Sequence, residues 1–97
     1  MTGKLIVPTI SVGNNNTVDS GCVGEGDHVQ ARNMNSHAEG YYTHAYGKNS
    51  HAEGDYSTAS GEDAHAEGYT TVAQGNYSHS EGNSTDALNK SQHVQGE

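Results

Sequence analysis

The chain has 97 residues, with four Lys and Arg against twelve Asp and Glu and a formal net charge of -8 at neutral pH. Leu, Ile and Val number only eleven and Phe is absent, so the length allows one thin-cored domain, and without a regular pattern this composition predicts disorder. The acidity excludes a nucleic-acid partner, which needs Lys and Arg to displace counterions, and no stretch approaches the roughly 20 apolar residues of a membrane-spanning helix.

In chain order the first expected unit is residues 1–12, which hold five of the eleven large aliphatics: Leu5, Ile6, Val7, Ile10 and Val12. It reads as an N-terminal cap or attachment segment for the repeats that follow. Lys4 before Leu5-Ile6-Val7-Pro8 gives too short an apolar run for a signal peptide.

From residue 13 to 97 the sequence repeats. Glycines at 26, 40, 47, 54, 61, 68, 75, 82 and 96 are spaced by multiples of seven, with Asn33 and Asn89 in the two gaps. Since Asn tolerates a left-handed backbone best after Gly, the period reads as a backbone requirement. With glycine as position g of a heptad a to g, position e is Ala at 31, 38, 45, 52, 59, 66, 73 and 87, and position c is mostly Ser or Thr. The pattern doubles to fourteen, as SHAEG at 36–40 and 50–54, AHAEG at 64–68 and SHSEG at 78–82.

A coiled coil would need two large apolar positions per heptad, and this repeat offers one Ala while adding a helix-weakening Gly. The alternative is a short strand at c to f and a turn at g, a and b. Residues c and e then face one way and d and f the other. Two strands make a coil of fourteen residues, and stacked coils hydrogen-bond each strand to those above and below. The expected fold is an all-β parallel β-solenoid of about six coils.

The outward positions separate two faces. In one set of strands d is Val23, His37, His51, His65, His79 and His93, and f is Glu25, Glu39, Glu53, Glu67, Glu81 and Gln95. The other set carries Asn16, Gln30, His44, Thr58, Val72 and Asp86 at d, with Val18, Arg32, Tyr46, Ser60, Gln74 and Leu88 at f. A face that repeats one pair coil after coil meets the same partner each time, most simply the same face of a symmetry-related copy. The His–Glu positions from His37 to His93 are therefore the expected homo-oligomer interface, with imidazoles relieving carboxylate repulsion. The mixed face is expected to look at solvent.

S-x-A-x-G strands every seven residues, as in SHAEG at 36–40 and STASG at 57–61, resemble the YadA-like head repeat of trimeric autotransporter adhesins over about residues 11–96. The resemblance implies a left-handed parallel β-roll, a homotrimer and adhesion to host surfaces. The family strand is typically SVAIG, whereas this chain places His and Glu at the two apolar positions. Such polar repeats look more like those of Gram-positive bacteria and their phages, in surface or tail-appendage proteins. An extracellular place follows, as a virion tail appendage or cell-surface fibre, with a structural trimerising spacer or an autotransporter head fragment as alternatives.

Four tyrosines, Tyr41, Tyr42, Tyr56 and Tyr69, fall on one corner of successive coils. They form a candidate contact for a host-surface glycan or protein receptor, set against the plainer role of covering strand ends. The HxE pairs have the spacing of metal ligands on one strand face. Their repetition in every coil reads as architecture, so no metal and no cofactor is expected. Cys22 at position c points inward as a small hydrophobe. No residue is singular enough to supply a nucleophile with its base, and no catalytic site is expected.

Overall fold

The computed structural model describes residues 9–96. Among them, long and short strands alternate along the chain. The long ones are β1 (Ile10–Asn14), β3 (Val23–Asp27), β5 (His37–Tyr41), β7 (His51–Asp55), β9 (His65–Tyr69), β11 (His79–Asn83) and the shorter β13 (His93–Gln95). The two-residue ones are β2 (Thr17–Val18), β4 (Gln30–Ala31), β6 (His44–Ala45), β8 (Thr58–Ala59), β10 (Val72–Ala73) and β12 (Asp86–Ala87). All pairing is parallel, in one seven-stranded sheet β1-β3-β5-β7-β9-β11-β13 and one six-stranded sheet β12-β10-β8-β6-β4-β2. The chain is a parallel β-solenoid of about six turns of fourteen residues.

The expected equal strands at c to f give way to unequal ones. At Gly54 the backbone has φ of 114° and stays in the strand, which lets β7 run on to position a. A left-handed residue at b then turns the corner. The second corner, after each short strand, is a four-residue turn such as Tyr46–Asn49, where the Ser50 N–H donates to the Gly47 carbonyl at 3.1 Å.

Left-handed backbone recurs at b, with φ of 60° at His28, 55° at Tyr42, 63° at Tyr56 and 56° at Thr70. It aims the b amide at the preceding rung, as from Tyr56 N–H to the Tyr41 carbonyl at 2.9 Å. The expectation that Asn33 and Asn89 sit at left-handed positions is corrected: neither has a positive φ. Their N–H groups instead reach Ser36 Oγ and Gln92 Oε1. At Gly47, Gly61 and Gly75 it is stacking that bars a side chain, since a Cβ on Gly47 would overlap the carbonyl oxygen of Gly61 in the next rung.

The interior is the expected c and e set. Cys22, Val29, Ala31, Ala38, Ala45, Ala52, Ala59, Ala64, Ala66 and Ala73 form one buried cluster, with Ser36, Thr43, Ser50, Ser57, Thr71, Ser78 and Ser80 buried beside them. Several hydroxyls inside are held locally, as Ser50 Oγ to the Gly47 carbonyl at 2.6 Å and Ser80 Oγ against Thr85 Oγ1 at 2.7 Å, while those of Thr43 and Thr71 have no partner.

The first rung departs from the repeat. Gly13 pairs with Gly26 and Val18 with Ala31, a thirteen-residue offset instead of fourteen. The turn through Asp19 and Gly21, where φ is 83°, is one residue short. Asn16 and Val18 were expected outward at d and f; the structure corrects this, giving d to Thr17 and e to Val18. Asn16 drops to c, where its amide knits the rung to the Val12 carbonyl and the Val29 N–H. Strand β1 begins inside the 1–12 segment; residues 1–8 of that segment, with Leu5, Ile6 and Val7, lie outside the described residues.

Candidate functional site

The long strands put position d of every rung in register with d of the next, so His37, His51, His65, His79 and His93 pair in succession, as do Glu25, Glu39, Glu53, Glu67 and Glu81. Rung spacing of about 4.8 Å forces the imidazoles to stack. Their ring centroids lie 4.6–4.8 Å apart and their planes within 1–11° of parallel. Each Nε2 approaches Oε1 of the Glu two residues on, at 3.0 Å for His37–Glu39, 3.1 Å for His51–Glu53, 2.9 Å for His65–Glu67 and 2.9 Å for His79–Glu81. The preceding rung adds a second carboxylate, Glu25 at 3.4 Å from His37, Glu39 at 3.6 Å from His51 and Glu53 at 3.9 Å from His65.

Thus the structure brings His37, Glu39, His51, Glu53, His65, Glu67, His79, Glu81 and His93 into one ladder. Its imidazoles from His37 to His79 are half-buried, at 33–35% side-chain exposure. The imidazoles lie beside the carboxylates without a hydrogen bond: Nε2 of His37, His51, His65 and His79 is buried with no hydrogen-bond partner. The close contacts are off the hydrogen-bonding direction. Overlapping His–Glu–His trios in this ladder are the groups of the described residues that could hold a metal ion.

The long-strand corner carries the aromatic edge. Tyr42 and Tyr56, both at b, stack at 5.3 Å and 3°, and Tyr41 meets them edge-on at 4.7 and 5.8 Å. Tyr69 belongs to the neighbouring a column, in register with Asp55, and joins no ring stack. Sequence reasoning missed His28, which stacks on Tyr42 at 4.5 Å and takes its orientation from Asp27 at 2.8 Å. The signal was there, since His28 is the b residue one period before Tyr42. Partial desolvation, then the charges of Tyr56, Tyr42, Asp27 and Asp55, push the Tyr41 phenol above its usual range.

The short-strand face is mixed as expected. His44 stacks on Tyr46 at 5.2 Å, the Tyr46 hydroxyl donates to Gln30 Oε1 at 3.0 Å, and burial pushes the His44 imidazole below its ordinary value. Cys22 is inside the rung, 1% exposed, with Ser36 Oγ donating to its sulfur at 3.3 Å. No helix of the described residues is long and apolar enough to cross a membrane.

A parallel β-solenoid with glycine-hinged heptads and one uniform polar face defines a structural repeat class. Within it, the YadA head domain repeat matches this chain twice, over residues 38–64 and 52–78. Residues 38–78 are therefore similar to YadA-like head repeats. No curated protein and no solved structure matches it.

Proposed function

We propose that the chain is a homotrimeric adhesive or receptor-binding head module, exposed outside the cell or virion as part of a bacterial surface fibre or phage tail appendage. The observation that carries this reading is the contrast between its faces. His and Glu repeat in register through successive rungs on the long-strand sheet, while the short-strand sheet changes residue at each rung. A partner that repeats with the rungs is most simply another copy in the same register. The head repeat at residues 38–78 supports three copies, because heads of this family are trimers.

Receptor contact is assigned to the aromatic edge of His28, Tyr41, Tyr42 and Tyr56, because aromatic side chains dominate contact hot spots. The uninterrupted run of equal rungs from 23 to 95 also favours a spacer reading, and the two separate in one experiment. Tyr42→Ala with Tyr56→Ala is expected to weaken binding to a glycan array or to whole cells about tenfold or more, with the particle mass unchanged. Binding that survives the double substitution contradicts the receptor edge and leaves the spacer. His51→Glu with His65→Glu adds carboxylates to the acidic column on every copy and is expected to reduce the particle to a single chain; an unchanged mass contradicts the assignment of that face.

A further inference from the structure

The buried Nε2 atoms of the ladder are a chemical anomaly. At 2.9–3.1 Å from a carboxylate oxygen each is close enough for a hydrogen bond, yet none is made. The chain does make that bond elsewhere, between His28 Nδ1 and Asp27 Oδ1 at 2.8 Å. With its proton on Nδ1, a ladder imidazole keeps an in-plane Nε2 lone pair beside a carboxylate oxygen with no donor between them, an arrangement that a positive centre off the N–O line would satisfy.

A chelated cation is such a centre, and it sits off the line joining its ligands. For bonds of about 2.0–2.2 Å, neighbouring ligand atoms are about 2.8–3.1 Å apart at octahedral angles and about 3.3–3.6 Å apart at tetrahedral ones. The contacts within a rung fall in the first range. The contacts from Glu25 to His37 at 3.4 Å and from Glu39 to His51 at 3.6 Å fall in the second.

We propose that the ladder at His37 and His51 is a binding site for a divalent transition cation such as Zn2+, each ion held by one imidazole Nε2 and by the carboxylates of its own and the preceding rung. His51 with Glu39 and Glu53 is the central example; His37 with Glu25 and Glu39 is the next. Two neighbouring imidazoles do not share an ion. An imidazole ligates through a lone pair in its ring plane, and the His37 and His51 planes are 4° from parallel with centroids 4.6 Å apart. Solvent completes the coordination shell. The cation satisfies nitrogens that lack a hydrogen-bond partner and neutralises a column of carboxylates that otherwise repel one another.

All of these ligands belong to one chain, so the site does not rest on the proposed assembly. The test uses the untagged full chain stripped with EDTA, titrated with Zn2+ by calorimetry and with Co2+ by visible absorption, and melted with and without Zn2+. Expected are a saturable Co2+ ligand-field spectrum without thiolate charge transfer and a melting temperature raised by Zn2+. His37→Asn with His51→Asn, and separately Glu39→Gln with Glu53→Gln, should weaken both by roughly tenfold or more. His44→Asn, on the opposite sheet, should leave both unchanged. Circular dichroism identical to the parent confirms that the variants fold. An absent Co2+ spectrum, or uptake untouched by the ladder substitutions, overturns the proposal. Uptake by a particle that weighs one chain upholds it while removing the trimer.

Discussion

At the residue scale the fold depends on a left-handed residue at b and, at every g except Asn33 and Asn89, on a residue without a side chain. The b position costs a non-glycine residue about 1–2 kcal/mol, and a β-branched one is the worst placed. Thr70, exposed and at φ 56°, is therefore a stored defect. Thr70→Asn is expected to stabilise by about 0.5–1 kcal/mol, read from a urea midpoint, and no gain would mean that its left-handed backbone carries no strain. Sequence reading found the period from its glycines but placed the left-handed turn at g. The b column holds Asn, His, Tyr, Asp, Thr and Ser, which share no chemistry that a pattern can reveal.

Two single residues also contribute to the pH dependence of stability. Tyr41 has a phenol pushed above the ordinary 10.0, so the unfolded chain ionises first and stability falls as pH rises above about 10. Tyr41→Phe should remove the latest-titrating component of the tyrosinate absorbance; an unchanged titration curve would contradict the desolvated corner. His44 has the opposite sign. Its folded-state affinity for a proton lies below the ordinary 6.5, so the unfolded chain binds the proton first and stability is lost as pH falls below about 6.5. His44→Gln should flatten that part of the melting profile.

At the element scale each rung is a container of fixed volume. Where β5, β7 and β9 place Ala at e, β3 has Gly24, and a Cβ there would overlap Val18 Cγ2 and lie 3.3 Å from Val29 Cγ2. Val18 stands where later short strands have Ala, and Val29 where they have Thr or Ser. Gly24→Ala should cost about 1–3 kcal/mol by overpacking, and adding Val18→Ala should return part of it; costs that simply add would show that the two sites are uncoupled. The alternation of c and e inward with d and f outward was legible because small residues recur there. The thirteen-residue first rung was not, because Asp19 to Cys22 carries no marker of the missing residue and Val18 looks like any outward aliphatic. The unequal strands were also hidden, since Gly54 and Gly47 look identical in sequence and differ only in φ.

For the whole molecule, a core of Ala, Ser and Thr buries little apolar surface, and order comes from the hydrogen bonds between rungs and from what covers the outer faces. Gly54→Ala should act over many rungs at once, because its Cβ would overlap the Gly68 carbonyl and its φ of 114° suits no other residue. The His–Glu ladder was legible as a repeated column. Its chemistry was not, because spacing alone cannot tell a hydrogen-bonded pair from one held side by side off axis.

The thin core and the uniform ladder together make self-association the central claim, and sedimentation equilibrium of the purified chain in dilute buffer addresses it directly. A mass three times the 10.2 kDa of one chain is the expected result. A single-chain mass with the β-sheet spectrum retained would show that the ladder faces solvent and that the rungs stand without sister copies.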